Sequence, residues 1–401
     1  MKADNYIPPL TGIRAIAAFM VFFHHANQTD FAYPLFRTLN EFHTGVTVFF
    51  VLSGFLIGLR YYDTCEISGN WFRKYLKNRI ARIYPMYLII TLATFAFAYY
   101  INDNSVYNGF PYATVLILMN VFFLRGFFDD LKFTGLAQGW TLTVEECFYF
   151  LAPLFFVRIK KNKNAVWQLP ILIISIGSIL VLIFSHVNFY GLYGNFSFMF
   201  LYTFTGRCIE FFIGIALALR VLKQNGEATK IKWPFFTILG IIGMCIGIGI
   251  MAIQPLTDKI HYGLYQPWGI FSNNLVMPCG IASLFYGLIK EPSVLRRFLG
   301  SSTMVLLGKS SYIFYLIHIG FIATLVKTWV GNSTEKIATF FDAKQYNWLA
   351  ENIDSSAIKI ALAFILLNLI SIALFKFIEE PVNHFIRKSS FLEKKVKPQN
   401  A

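Results

Sequence analysis

An arginine and a histidine eleven positions apart, Arg14 and His25, lie in one apolar run near the start of the 401-residue chain. On a helix, eleven positions make three turns plus about 20°, so the two side chains share a face and stand about 16 Å apart along the axis. Imidazole is the side chain suited to take and return a proton near neutral pH, and a guanidinium suits phosphate. His24 points about 80° away from Arg14. The ordinary alternative for His25 is a histidine at a helix end, level with the headgroups.

Other ionisable groups in apolar surroundings are few, and each is expensive enough to be a functional candidate. Glu145 and Glu146 sit one turn into the run Trp140-Thr-Leu-Thr-Val-Glu-Glu-Cys-Phe-Tyr149. A carboxylate at the depth of His25 fixes an imidazole's tautomer and raises its basicity; the alternative is an interfacial carboxylate in water. Arg79 and Arg82, one turn apart just before Tyr84-Pro85, suit phosphate groups, although their spacing alone favours ordinary loop charge. Arg207 and Glu210, three residues apart in the run 198–219, read foremost as a structural ion pair. His318 in the run 311–330 reads foremost as a structural hydrogen-bond partner among aromatics. The five cysteines show no CxxC spacing, so free thiols are expected and no metal site is indicated.

The elements that must position these groups follow from composition. Hydrophobic residues make up 56% and charged residues 14%, against about 25% charged in soluble domains, and the mean hydropathy is +0.55. This excludes a disordered chain and a conventional soluble enzyme. Apolar runs long enough to cross a bilayer fall near 8–27, 45–62, 85–101, 112–128, 140–157, 167–187, 198–219, 233–253, 268–289, 311–330 and 358–378. The formal charge of +14 comes from Lys and Arg clustered in alternate loops, the signature of positive-inside loops rather than nucleic-acid binding. That bias predicts both termini in the cytoplasm.

Parity constrains the crossings. The basic segments ending at Arg82 and starting at Arg158 belong on one side, yet three runs separate them, so one does not cross. The run 112–128, which carries Asn120 and Arg125 between Pro111 and Asp129-Asp130, is the candidate re-entrant segment. The predicted fold is an all-α integral membrane protein with about ten transmembrane helices plus that segment. Residues 1–387 form one membrane domain and 388–401 a basic cytoplasmic tail. The first run, with Arg14 at its start and His24-His25 at its end, is expected to be a retained helix rather than a cleaved signal.

Taken together, these stretches resemble the acyltransferase-3 family of multipass membrane acyltransferases. Five segments carry the resemblance: Leu10-Thr-Gly-Ile-Arg14 with His25; Gly45-Val-Thr-Val-Phe-Phe-Val-Leu-Ser-Gly-Phe-Leu56; Arg79-Ile-Ala-Arg-Ile-Tyr-Pro85; Trp140 to Tyr149; and Leu307-Gly-Lys-Ser-Ser-Tyr312 through His318. Glu380-Pro381 closes the pattern. Thr47 and Thr141 stand where many members have Asp and Ser.

The resemblance implies acyl transfer from cytoplasmic acyl-CoA, most often acetyl-CoA, to a hydroxyl of a carbohydrate acceptor. In bacteria that acceptor is often a cell-surface polysaccharide such as lipopolysaccharide O-antigen, and the enzyme sits in the inner membrane. It implies His25 and Glu145 as catalytic residues and Arg14, Arg79 and Arg82 as the donor-binding residues. Either His25 removes the acceptor's proton directly or an acyl-histidine forms. Acceptors other than glycans, such as small molecules or lipids, stay open. So does a secondary transporter, which also uses buried charge, although no inverted repeat is visible in the chain. Oligomeric state is not legible.

Overall fold

The computed structural model describes residues 6–26, 32–66, 68–107, 111–224, 233–257 and 261–389; the predicted tail lies almost wholly outside the described residues. Every regular element among them is helical, and the extended pairing is confined to an isolated bridge between Phe128 and Leu192. A chain in hydrocarbon must satisfy its backbone internally, and helices do so within one segment.

In chain order the helices are α1 (Pro8–Ala26), α2 (Tyr33–Asn40), α3 (Gly45–Tyr61), α4 (Gly69–Tyr100), α5 (Ala113–Val121), α6 (Trp140–Lys161), α7 (Ala165–Phe184), α8 (Phe196–Tyr202) and α9 (Phe204–Lys223). They continue with α10 (Phe235–Ala252), α11 (Pro267–Phe271), α12 (Met277–Lys290), α13 (Val294–Leu299), α14 (Ser302–Ile317), α15 (Phe321–Asp342), α16 (Asn347–Ile353), α17 (Ser356–Leu374) and α18 (Glu380–Lys388). A short π-helical segment, Ser272–Val276, joins α11 to α12, and another, Phe375–Glu379, joins α17 to α18.

Five helical stretches among the described residues are long and apolar enough to cross a membrane: Tyr33–Tyr61, Gly69–Tyr100, Ala165–Phe184, Phe235–Ala252 and Ser356–Lys388. Counting the bent pair α14 and α15 as one span makes six. The protein is therefore multipass. Helices α1 and α9 fall outside this group because Arg14, His24 and His25, and Arg207, Glu210 and Arg220, dilute their apolar character. Buried charge is what removes these two helices from an apolar criterion, whereas α4 meets it although it carries Arg79 and Arg82.

Burial separates the layers. The stretch containing α3 is 72% buried, whereas those of α7, α10 and α17–α18 are 22% buried and turn most of their surface outward. Helix α3 lies against α9 and α1, and α14 lies against α1 and α17. The α3–α9 contact is close because it is made at glycines. A Cβ on Gly54 would overlap the carbonyl oxygen of Phe211, and one on Gly214 would overlap that of Val51. Small residues let helices approach backbone to backbone where lipid supplies no hydrophobic drive.

The run 112–128 is a nine-residue helix, α5, followed by Phe123 at φ 58 and a 3-10 turn at Arg125–Phe127. Nine residues rise about 13.5 Å, too little to cross ~30 Å of hydrocarbon, which agrees with a run that does not span. Three expectations need correction. The run 198–219 is broken at the extended residue Thr203, which puts Arg207 and Glu210 in the first two turns of α9 rather than mid-helix. The run 311–330 is broken at residues 318–320, where Gly320 has φ 88 and α14 and α15 meet at 93°; His318 is thus the C-cap of α14. Pro85 lies inside α4 instead of opening a helix. Helix α4 starts at Gly69 because Ser68 caps it, its Oγ accepting from Trp71 N–H at 3.2 Å, and Arg79 and Arg82 ride on it.

Candidate functional site

Three cavities lie in series along α1, α3 and α14. The first, of about 480 Å³, is lined by Arg14, Arg60, Arg79, Arg82, Lys309 and Arg387. The second, of about 70 Å³, shares Arg14, Arg79 and Arg82 with the first and adds Ser53, Glu145 and Tyr149. The third, of about 340 Å³, is lined by His24, His25, His43, Gln138, Tyr262 and Tyr315, and meets the second at Val46 and Tyr315. Helix α1 runs past all three, so Arg14 and His25 sit at opposite ends of the series, as its period requires.

Arg79 is held by rings rather than by a carboxylate. Arg79 is 4% exposed. Its guanidinium carbon lies 5.5 Å from the Tyr61 ring centre and 5.7 Å from that of Tyr149. Its Nη2 donates weakly to Tyr61 Oη at 3.4 Å, and its Nε has no partner. Among the described residues, none of Arg14, Arg79 and Arg82 forms an ion pair. Guanidiniums without an ion-pair partner around one cavity suit an anion, since their planar forks match phosphate oxygens. Glu379, which precedes the Glu380-Pro381 motif and is not marked by it, lines the same cavity with its Oε2 unpartnered.

Glu145 belongs to this arginine end. Ser53 Oγ donates to its Oε1 at 2.5 Å, Tyr149 Oη lies 3.3 Å from Ser53 Oγ, and Arg82, Arg14 and Arg79 act on it electrostatically. The expected pairing with His25 is not formed, because the two groups line different cavities. The reason is depth: α6 begins at Trp140, so Glu145 lies about 7.5 Å along its axis, whereas His25 is one residue from the end of α1. Glu146 does not line any of the three cavities.

His25 sits instead among histidines. The residue lines the third cavity, its ring centre 4.7 Å from that of His24 and 5.3 Å from that of His318. His24 lies a further 5.6 Å from His43, whose Nε2 is 3.0 Å from Glu41 Oε2. Backbone carbonyls only accept, so the 2.7 Å contacts of His24 Nδ1 with Asn40 O and of His318 Nδ1 with Tyr315 O place a proton on each Nδ1. The Nε2 of His318 is left buried without a partner. His43 and Glu41 were hidden in the Lys- and Arg-poor loop 28–44; no spacing rule ties them to α1. No group of three or more His, Cys, Asp or Glu side chains among the described residues is disposed to hold a metal.

Arg207 is a clamp. Its Nε donates to Glu210 Oε2 at 3.0 Å, its Nη2 lies 2.8 Å from Glu210 Oε1, and Nη1 and Nη2 donate to Leu201 O and Thr47 Oγ1 at 3.2 and 3.1 Å. Thr47 in turn donates to Asn273 Oδ1 at 3.1 Å. With its donors committed, Arg207 braces the α8–α9 break against α3 and the π segment.

The family model for the acyltransferase domain, acyltransferase-3, matches residues 8–376. The O-acetyltransferase OatA of Staphylococcus aureus (strain NCTC 8325 / PS 47) is 26% identical over 333 residues, covering 79% of this chain and 51% of that protein. A putative O-acetyltransferase, SACOL0978, of Staphylococcus aureus (strain COL) is 24% identical over 360 residues, covering 85% of this chain and 55% of that protein. The chain thus spans about half the length of the curated relatives it matches. No solved structure matches it. With its helices, its serial cavities and a match over nearly the whole sequence, the chain is a multipass membrane protein that belongs to the acyltransferase-3 family of acyltransferases.

Proposed function

We propose that the protein is a membrane O-acyltransferase that moves an acyl group, acetyl in the first instance, from cytoplasmic acyl-CoA to a hydroxyl of a cell-surface glycan. The observation that carries this reading is the line of cavities from an unpaired arginine cluster to an accessible histidine. CoA's phosphates cannot enter hydrocarbon, and the wide cavity with Arg79, Arg82 and Arg14 supplies a place for them to stop. The uncharged pantetheine arm then threads the narrow central cavity toward His25, over a distance of the order of the 16 Å rise between Arg14 and His25. This reading puts the arginine end at the cytoplasmic face of a bacterial plasma membrane, and takes the chain to cross about ten times with both termini in the cytoplasm.

At the far end His25 takes the proton of the acceptor hydroxyl as its oxygen attacks the thioester carbonyl. The tetrahedral intermediate collapses, the carbon–sulfur bond breaks, and the imidazolium returns the proton to the departing thiolate. The variant route forms an acyl-imidazole on His25, which the hydroxyl then attacks. Glu145, placed among the arginines, acts on the donor rather than on the imidazole. The staphylococcal relatives are named as O-acetyltransferases, which supports acetyl and a hydroxyl acceptor here.

The test is transfer of labelled acetyl from acetyl-CoA to membrane or surface carbohydrate in inverted vesicles containing the full chain. Label in a base-labile ester on carbohydrate, lost in His25→Ala at equal protein level, is the expected result. Label found only in lipid or in small molecules would replace the glycan acceptor, and no dependence on acetyl-CoA would remove the donor.

A further inference from the structure

Donor and acceptor cavities meet at a single wall. The central cavity is the smallest of the three, about 70 Å³ between neighbours of about 480 and 340 Å³. Its outer boundary is formed by Val46 and Tyr315, the two residues that line both it and the histidine cavity. Any acyl group that arrives from the arginines and reacts near His25 must come to this boundary.

Tyr315 is built to hold its place there. It stands in the last turn of α14, just before the 93° bend. Its hydroxyl lies 3.1 Å from Thr141 Oγ1 and donates to the carbonyl of Gln138 at 3.3 Å, so α6 and the turn before it anchor the ring's far end. Phe49, from α3, meets the ring edge-on at 5.8 Å between centres and itself lines the central cavity. The Tyr315 carbonyl is the group that holds His318 Nδ1. A ring fixed at its hydroxyl, its edge and its backbone cannot swing aside as an unanchored phenylalanine could. Its hydroxyl is engaged and takes no part in the group transfer; the side chain acts by shape.

We propose that Tyr315 is the septum that sets the size of the transferred acyl group: acetyl fits beside the ring and reaches the histidine cavity, while a longer straight chain stops against it. This rests on the acyl-CoA reading given above. Val46 and Phe49 complete the same wall, so they are secondary determinants.

The experiment measures CoA thiol released from acetyl-, butyryl- and hexanoyl-CoA by inverted vesicles carrying the full chain, with His25→Ala vesicles as background. Wild type should strongly favour acetyl. Tyr315→Ala should raise the hexanoyl-to-acetyl ratio at least tenfold, and Tyr315→Phe, which keeps the ring and loses its anchor, should fall between. A change that merely weakened the fold would lower all three rates together. An unchanged ratio in an active Tyr315→Ala overturns the septum. If Tyr315→Ala is inactive with every donor, Tyr315→Leu and Phe49→Ala carry the test by the same ratio, and no shift in either overturns it. Release above background from none of the donors by wild type would instead sink the acyl-CoA reading, and the septum with it.

Discussion

Replacing Arg79 by alanine should separate recognition of the donor's charge from everything else the protein does. The side chain is 4% exposed, yet its bonds within the protein are poor: one 3.4 Å contact to Tyr61, an unpartnered Nε and two ring faces above 5 Å. Losing the ring contacts costs about 0.5–2 kcal/mol. Removing a buried donor that has no partner offsets part of that, so folding should suffer little. A hydrogen bond from a guanidinium to a phosphate contributes about 1.5–3 kcal/mol, which at about 1.4 kcal/mol per factor of ten is roughly 10–150-fold in affinity. Arg79→Ala should therefore weaken acetyl-CoA binding by that factor, and Arg79→Ala with Arg82→Ala by more. Binding is read by calorimetry on detergent-solubilised protein, with thermal unfolding as the control for folding. Acetyl-pantetheine, which lacks the nucleotide phosphates, supplies the internal comparison: its weaker binding should be insensitive to both substitutions. Unchanged acetyl-CoA affinity in a well-folded double variant would refute the phosphate role and return both arginines to ordinary loop charge. An equal loss with acetyl-pantetheine would mean the arginines shape the cavity rather than hold phosphate.

Three further outcomes are expected. His25→Ala should lower acyl transfer by about 10²–10⁴ while His24→Ala, whose ring is tied to Asn40 O, retains much of it; product formed per folded protein decides, and substantial activity in His25→Ala would move the chemistry toward His318. Glu145→Gln should raise KM for acyl-CoA more than it lowers kcat, because the carboxylate sits among the arginines; a loss confined to kcat would put it back beside the proton transfer. Cysteines placed at Asn104 and Phe133 should both react with an impermeant reagent added from outside, since α5 is too short to cross; labelling from opposite faces would defeat the parity argument.

What could be read from the sequence was whatever one uninterrupted helix decides. Arg14 and His25 share α1, so their face and separation follow from the helical period. Glu145 was found as a residue, but its surroundings were not. Its partner Ser53 comes from α3, and the depth at which α6 begins against α3 and α4 has no trace in local spacing. The helix breaks at Thr203 and at Gly320 escaped for another reason: apolar composition runs on through both, and hydrophobic periodicity does not register a bend. Pro85 misled in the opposite sense, because the basic stretch from Gly69 to Tyr84 extends the helix beyond its apolar part. The association of His25 with His318, and of His24 with His43, depends on three segments meeting, and only the assembled bundle could disclose it.

The glycine contact between α3 and α9 has a mechanical consequence. Two backbones that touch at Gly54 and Gly214 cannot slide without overlap, so these helices behave as one stiff beam that carries Val46, Phe49 and Ser53 along one side of the passage. The opposing side, with Tyr312 and Tyr315, hangs from α14 and ends in an elbow at Gly320. The passage is thus bounded by a locked seam on one side and, on the other, by a helix whose rings are tied to α4 and to the turn before α6 through Ile83 O and Gln138 O.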